Sequence, residues 1–264
     1  MRRTIAIVNQ KGGVGKSTTV VNLGASLALL SKRVLICDLD PQANATSGLG
    51  APKAPASAST YGVLIEARPI SAAIVQTAVR GLYLLPSSAH LAGAEVELVP
   101  MVFRENRLRE ALETGADSYD VILLDCPPSL GLLTVNALTA ATEVLIPIQC
   151  EYYALEGLSQ LLDSVGLAQR HLNRALEIAG VLLTMYDPRT RLSEQVADEV
   201  RRFFKDKVYQ TVVPRSIRLA EAPSYGMPAV FYDPASRGAE AYMNLAKEVL
   251  NRGRDTAGVV EQVS

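Results

Sequence analysis

The stretch KGGVGKST at residues 11–18 decides the fold of this 264-residue chain. It lies between an apolar segment of strand length, Thr4–Asn9, and a segment of helical periodicity, Ser17–Ser31. A strand, a glycine-rich loop and a helix in this order are typical of a phosphate-binding loop. The glycines let backbone amides converge on phosphate, and the helix N-terminus adds positive potential. The stretch therefore predicts a P-loop nucleotide-binding site.

Individual positions of this loop carry different expected contacts. Lys16 is expected to reach the β- and γ-phosphates, Ser17 to coordinate Mg²⁺ through its hydroxyl oxygen, and Thr18 to contact the α-phosphate. The standard pattern GxxxxGK[ST] has glycine where this chain has Gln10, and Lys11 is an additional lysine. Lys11 precedes the cradle and is expected to reach the phosphates of a second subunit across a face-to-face dimer. The predicted nucleotide contacts in the loop are Lys11, Gly12, Gly13, Val14, Gly15, Lys16, Ser17 and Thr18.

Carboxylates follow two apolar strands at the positions that a P-loop enzyme needs. Asp38 and Asp40 follow one strand, and Asp125 follows another. Because the carboxyl ends of parallel strands meet at one edge of a sheet, we expect these side chains to converge. Asp125 is expected to hold a magnesium-bound water, Asp40 to orient the attacking water and Asp38 to support them. The alternative for either segment alone is a helix cap or a turn. The predicted metal set is Ser17, Asp40 and Asp125, and the predicted catalytic set is Lys11, Lys16 and Asp40.

Apolar runs of strand length alternate with helical patterns along the chain. The runs are continuous rather than alternating in polarity, which is typical of parallel strands covered on both faces. The sequence therefore predicts an α/β, single-domain P-loop NTPase fold, a mostly parallel twisted sheet with helices on both faces. We expect this domain over residues 1–252 and a disordered tail over 253–264. The predicted strands are Thr4–Asn9, Arg33–Cys37, Leu82–Leu85, Val121–Asp125, Val144–Gln149 and Ile178–Met185, and the predicted helices are Ser17–Ser31, Arg104–Glu113, Leu155–His171, Arg191–Phe204 and Gly238–Leu250.

The composition excludes several classes of protein. Lys and Arg total 26 against 27 Asp and Glu, so a strongly basic nucleic-acid coat protein is excluded. Trp is absent and aromatic residues make up 5%, which argues against a stacking platform for single strands. Cys37, Cys126 and Cys150 lack CxxC spacing and are expected to be buried in a reducing cytoplasm. Neither a signal peptide nor a membrane span is expected.

The motifs together resemble those of ParA/Soj-type partitioning ATPases, members of the deviant Walker-A class that also includes MinD and the nitrogenase iron protein. The resemblance implies ATP and Mg²⁺ as cofactors and an ATP-dependent sandwich homodimer in which Lys11 contacts the partner's nucleotide. It also implies that Asp40 is needed for hydrolysis and that Pro214 and Ser216 touch adenine, although many relatives have Asn at the position of Ser216. The matching segments are KGGVGKST (11–18), DLDPQANAT (38–46), LLDCPPS (123–129), EYYALEG (151–157), TMYDPRT (184–190), VVPRSIRLAEAPSYG (212–226) and YDPASRGAEAY (232–242).

The resemblance also implies non-specific binding to double-stranded DNA and a ParB-type centromere-binding partner that stimulates hydrolysis. The segment Met185–Arg254 holds 12 Lys and Arg against 9 Asp and Glu, an excess that by itself also fits a solvated charged surface. A cytoplasmic, nucleoid-associated protein of chromosome or plasmid partitioning is therefore expected. The predicted DNA-binding residues are Arg189, Arg215, Arg218, Arg237 and Lys247.

Other functions of the same loop remain as alternatives. A MinD-like membrane-cycling ATPase needs a basic amphipathic C-terminal helix, and the segment 251–258 has two glycines and little apolar face. No membrane partner is therefore expected. An iron–sulfur reductase needs two suitable cysteines for a bridging cluster, and the stretch 81–115 has none. A small-molecule kinase or synthetase needs an acceptor pocket, for which the sequence shows no pattern.

Overall fold

A computed structural model describes residues 2–52, 54–152 and 157–260, with side chains as far as residue 252. The strands are β1 (Arg3–Ile7), β2 (Val34–Asp38), β3 (Val75–Gln76), β4 (Leu82–Leu85), β5 (Val121–Asp125), β6 (Glu143–Gln149), β7 (Glu177–Tyr186) and β8 (Val208–Pro214). The helices are α1 (Lys16–Leu29), α2 (Asn44–Gly48), α3 (Thr60–Leu64), α4 (Ile70–Ala73), α5 (Leu91–Leu98), α6 (Arg107–Gly115), α7 (Leu132–Ala140), α8 (Leu158–His171), α9 (Arg191–Phe204), α10 (Ile217–Glu221), α11 (Ala229–Tyr232) and α12 (Arg237–Val260).

The described strands form one sheet in the order β3-β4-β2-β5-β1-β6-β7-β8. Every neighbouring pair is parallel except β3 and β4, which are antiparallel. The predicted mostly parallel sheet is therefore confirmed. Neighbouring parallel strands must be joined by crossover connections, which are usually helices. In this domain the helices pack against both faces of the sheet.

Two hydrophobic layers cover the two faces of the sheet. In β5, Ile122 and Leu124 point into the layer beneath α6, α7, α8 and α9, whereas Val121 and Leu123 point into the layer beneath α1 and α12. All five residues of β5 are buried, as the continuous apolar pattern VILLD predicts. The predicted burial of the three cysteines is also confirmed.

Two strands and several helices were not predicted. The edge strand β8 includes Gln210 and Thr211, whose polar side chains interrupt the apolar run. Their backbone amides donate to the carboxylate of Glu248 on α12, at 2.8 and 3.0 Å. A helical residue therefore satisfies part of the sheet edge, which no local pattern in β8 reveals. The helix α7 is buried at most positions, so its sequence lacks a polar face.

The boundaries of α8 and α12 differ from the predicted ones, whereas α9 has the predicted bounds. The predicted start of α8 at Leu155 lies outside the described residues. The backbone of α12 continues beyond the predicted end at Leu250 to Val260, and residues 261–264 lie outside the described part. The division between domain and tail at residue 252 stays a prediction. Among the described helices, none combines the length and apolar character needed to cross a membrane.

The register of the sheet places the site. Asp38 at the end of β2 is paired with Asp125 at the end of β5, and Asp125 is also paired with Ile7 at the end of β1. The phosphate loop leaves β1 at this same edge. Three consecutive strands of the sheet thus deliver the loop and the carboxylates to one place.

Candidate nucleotide-binding site

The phosphate loop joins β1 to α1 and adopts a backbone that glycine favours. Gly13 has φ +76° and Gly15 has φ +91°, both in the left-handed region. The loop is also held from strand β7, two strands away from β1, because the Thr184 hydroxyl donates to the carbonyl of Val14 at 2.9 Å. The predicted strand–loop–helix arrangement is confirmed, with α1 beginning at Lys16.

Lys16 is held beneath the loop. Its side chain is buried, and Nζ donates to the carbonyl of Lys11 at 2.9 Å. Burial lowers the pKa of Lys16, and the nearby charges of Asp125 and Asp40 oppose that shift. A buried ammonium group beside two carboxylates lies in a loop that could receive the negative charge of a phosphate.

The carboxylate of Asp38 has all its described hydrogen bonds within residues 38–46, here called the acidic segment. It accepts from the amide and hydroxyl of Thr46, at 2.8 and 2.7 Å, and from the amide of Asp40 at 3.1 Å. Complete burial raises the pKa of Asp38 to about 6, although the bonds from Thr46 lower it. Asp38 therefore folds the segment 38–46 around itself, and its support of the other two carboxylates stays a prediction.

Asp125 differs from Asp38 because both of its carboxylate oxygens are buried without a hydrogen-bond partner. Burial raises its pKa well above the ordinary value, the charge of Asp38 adds to this rise, and the neighbouring Ser17 hydroxyl opposes it. A buried carboxylate without partners is costly unless a cation or a proton compensates it. The described residues contain no group of three or more His, Cys, Asp or Glu that could hold a metal ion. The oxygens of Ser17 and Asp125 fit Mg²⁺, which typically uses one or two protein ligands together with substrate phosphates.

Asp40 lies at the mouth of the same site. Its carboxylate accepts from the amide of Gln42 at 2.9 Å, and its carbonyl accepts from the Ser87 hydroxyl at 2.7 Å. Sequence reasoning missed Thr46 and Ser87, which hold the acidic segment in place. Ser87 makes a second contact with this segment, because its backbone amide donates to the Thr46 hydroxyl at 3.0 Å.

A cavity of about 410 Å³ brings most of the predicted loop residues together with Asp40. Pro128 lines it as well, as do Asn22, Gln42 and Asn44, and none of these last three was predicted as a contact. The predicted residues that line it are Gly12, Gly13, Gly15, Lys16, Ser17, Thr18 and Asp40. Asp125 lies below this lining, buried at the end of β5.

Lys11 and Val14 border a different cavity on the other side of the loop. This cavity has a volume of about 760 Å³ and is bounded by the segments that follow β6 and β7. The Lys11 amide donates to the Asn9 side chain at 3.0 Å. Lys11 and Lys16 therefore line different cavities, and the separate roles predicted for them stay predictions.

Four of the five predicted DNA-binding residues border one cavity of about 420 Å³ after β7 and β8. Lys247 is exposed on α12 and does not line it. Pro214 and Ser216 line this cavity rather than the one beside the phosphate loop, and their predicted contact with adenine stays a prediction. The four residues are Arg189, Arg215, Arg218 and Arg237.

Acidic neighbours hold three of these arginines. Arg189 pairs with Asp187 at 2.7 Å, and this pairing lowers the pKa of Asp187 to about 2. Arg215 pairs with Glu151. Arg218 pairs with Glu221 at 2.9 Å and with Asp233 at 3.1 Å. Since these side chains are largely exposed, the pairs orient the guanidinium groups more than they stabilise the fold.

Comparisons with known proteins agree with this geometry. The AAA domain family matches residues 2–178. The sporulation initiation inhibitor protein Soj of Bacillus subtilis is 59% identical over 253 residues, 96% of this chain and 100% of that protein. The chromosome partitioning protein ParA of Myxococcus xanthus is 52% identical over 95% of this chain and 88% of its own. Among solved structures, cobyrinic acid a,c-diamide synthase from Mycobacterium smegmatis with bound ADP and magnesium superposes with a TM-score of 0.85, at 38% identity over 96% of each chain.

Proposed function

The chain belongs to the ParA/Soj family of chromosome-partitioning ATPases, and from this we propose that it acts as an ATP-gated dimer on DNA. In this proposal, ATP joins two subunits and the dimer binds double-stranded DNA of any sequence. A ParB-type partner stimulates hydrolysis, and the separated subunits leave the DNA. The cycle serves chromosome or plasmid partitioning and places the protein on the nucleoid while ATP is bound.

ATP binds with Mg²⁺ at the phosphate-loop cavity in this proposal. The unpartnered oxygens of Asp125 support a cation there, because a bound Mg²⁺ would relieve the cost of their burial. Lys16 and Ser17 contact the phosphates and the metal, Asp40 orients the attacking water, and Pro214 and Ser216 contact the base. The Mycobacterium smegmatis structure with ADP and magnesium supports this choice of ligands.

Lys11 carries the dimer part of the proposal. Lys11 borders the larger cavity, whereas Lys16 lines the phosphate-loop cavity, and this separation supports a role for Lys11 at the nucleotide of the partner subunit. A lysine that contacts phosphate across the interface makes dimerisation depend on the nucleotide, because the interface charge is balanced only when phosphate is present.

The observation that most supports DNA binding is the gathering of Arg189, Arg215, Arg218 and Arg237 around one cavity. These residues follow β7 and β8, whose carboxyl ends lie at the same edge as the phosphate loop. Nothing in the described part resembles a helix placed to read base edges, so the contacts are assigned to DNA phosphates. A dimer doubles the number of such contacts, and affinity then depends steeply on salt.

The family assignment favours partitioning over small-molecule synthesis. Identity to the partitioning relatives is 59% and 52%, compared with 38% to the synthase structure. The rival activity also requires a site for an acceptor molecule beside the γ-phosphate.

Duplex DNA of arbitrary sequence provides the test. Binding is measured by fluorescence anisotropy with ATP, with ADP and without nucleotide, at several salt concentrations. We expect binding with ATP alone and a loss of affinity as salt rises. A clear ATP-dependent dimer that binds no DNA would refute the DNA part, and binding to anionic lipid vesicles instead would favour the MinD-like alternative. A monomer in all nucleotide states would refute the gating.

A further inference from the structure

Residues 217–232, here called the arginine segment, connect β8 to α12 and carry Arg218. They comprise α10, a 3-10 turn over Ala222–Tyr225 and α11. The guanidinium of Arg218 pairs with Glu221 inside the segment and with Asp233 directly after it. The position of Arg218 therefore follows the position of this segment. Two contacts fix this segment to the rest of the domain.

Asn22 on α1 makes the first connection. Its side chain is 4% exposed. Nδ2 donates to the carbonyl of Thr18 at 2.8 Å, and Oδ1 accepts from the amide of Ala229 at 2.7 Å. Thr18 lies in the first turn of α1, where the phosphates are expected, and Ala229 is the first residue of α11. One buried side chain thus joins the phosphate-binding turn to the arginine segment.

A backbone contact between Gly50 and Gly226 makes the second connection. Both residues have positive φ, +67° and +64°. A Cβ built on Gly226 would lie 2.6 Å from Cα of Gly50. The two backbone segments are therefore in contact, with no room for a side chain between them. Gly50 follows α2, whose Thr46 is hydrogen-bonded to Asp38. The arginine segment therefore contacts the stretch directly after α2 as well as α1 itself.

Asn22 borders the phosphate-loop cavity, but neither contact has a role in the chemistry assigned above, and both connect the nucleotide site to the segment that carries Arg218. We propose that Asn22 is the positioning residue through which the phosphate-binding turn of α1 sets the position of the arginine segment, so that nucleotide state controls the affinity for DNA. The inference rests on the proposed function and deepens it. Loss of this hydrogen-bonded link leaves the Ala229 amide buried without its acceptor and releases α11 from α1.

The substitution Asn22→Leu keeps the approximate size of the side chain and removes both hydrogen bonds. Two variants of the same buried helix serve as controls. Ser26→Ala removes a buried hydroxyl that has no hydrogen-bond partner, one turn further along α1. Thr19→Val removes a buried hydrogen bond to Tyr242 on α12, so it perturbs α1 without touching the arginine segment.

DNA affinity is measured with ATP and with ADP, each at a concentration that saturates the variant, and dimerisation is measured in the same solutions. We expect Asn22→Leu to lower the ratio of the two affinities by about tenfold, the size typical of coupling between two sites. ATP-driven dimers should still form, and both control variants should keep the wild-type ratio. A purely structural role would lower the melting temperature and leave the ratio unchanged, which would overturn the proposal. Loss of dimerisation together with DNA binding would also overturn it, because Asn22 would then act on the nucleotide site.

Hydrogen exchange of the wild-type protein gives a test that does not depend on a folded variant or on DNA. Amides of residues 217–232 should exchange more slowly with ATP than without nucleotide, whereas the control stretch 107–115 on the opposite face should not change. Equal exchange of the arginine segment in both states would contradict the coupling. A wild-type protein that binds no DNA would refute the proposed function, and the exchange result would still decide whether the segment responds to nucleotide.

Discussion

Two lysines of the phosphate loop, five residues apart, line different cavities. We expect Lys11→Ala to bind ATP as well as the wild type does, because Lys16 remains in the cradle. The dissociation constant of the ATP-bound dimer should rise by about 100-fold, the cost of removing one partner of a buried interfacial charge pair. Light scattering with ATP measures this, with the exposed Lys207→Ala as the control. An unchanged dimer in Lys11→Ala would exclude the contact across the interface.

The acidic segment places one carboxylate where it can act on water. Asp40→Asn keeps an oxygen that can accept from the Gln42 amide, so the loop should keep its shape. The loss of the charge should lower kcat for ATP hydrolysis by about 100-fold or more, as is typical when a positioned base is removed. ATP-dependent dimers should form and persist. Phosphate release is measured beside Asp163→Asn, an exposed carboxylate on α8, and normal turnover of Asp40→Asn would remove Asp40 from the reaction.

The buried carboxylates make the nucleotide-free protein sensitive to pH. The pKa of Asp125 is raised by burial, so the folded state holds a proton that the unfolded chain releases above about 3.8. The stability from this group is present at low pH and is lost as pH rises through the raised pKa. Asp38, with a pKa of about 6, contributes in the same direction.

We therefore expect Asp125→Asn, which cannot ionise, to gain melting temperature relative to the wild type between about pH 5 and pH 8. Thermal unfolding of both proteins without nucleotide measures the difference, in which other titrating groups cancel. Addition of ATP and Mg²⁺ should stabilise only the wild type strongly. A difference that shrinks with rising pH would contradict the raised pKa of Asp125.

At the scale of single elements, β8 depends on a helix. The two carboxylate oxygens of Glu248 accept the amides of Gln210 and Thr211, and Arg252 pairs with the same group at 3.1 Å. Glu248→Ala should lower the free energy of unfolding by about 1–3 kcal/mol, because the exposed amide of Gln210 and the half-buried amide of Thr211 lose a charged acceptor. Urea unfolding measures this, with the exposed Glu240→Ala on the same helix as the control. Equal losses in both variants would show that the edge amides find other partners.

Local sequence patterns predict one part of the candidate site and miss another. The phosphate loop and the carboxylates lie directly after apolar strands, so local pattern and the parallel-sheet rule together predict the site. The partners that hold the site come from distant parts of the chain. Ser87 reaches Asp40 across 47 positions, and Asn22 reaches Ala229 across 207. Those pairings follow from the packing of whole elements, which local periodicity does not encode.

At the scale of the whole molecule, the distribution of charge matters more than its sum. The net charge is −1, yet four arginines gather around one cavity at the carboxyl edge of the sheet. Their acidic neighbours keep this surface close to neutral and hold the guanidinium groups in place. In the proposed function, binding to DNA phosphate would compete with these internal pairs, which favours weak contacts that become effective only when a dimer presents two copies.

Phosphate contacts made by both subunits of a dimer predict how the DNA affinity of a single arginine variant depends on salt. Arg218→Ala removes one phosphate contact from each subunit, so the slope of log affinity against log salt should fall in magnitude by about 1.8 for the dimer. Anisotropy titrations with ATP over a range of salt concentrations measure the slope, and light scattering confirms that the dimer still forms. Arg174→Ala is the matched control, since this exposed arginine precedes β7 and therefore lies at the opposite edge of the sheet. Weaker binding with an unchanged slope would mean that Arg218 shapes the segment around Asp233 and Glu221 without touching DNA.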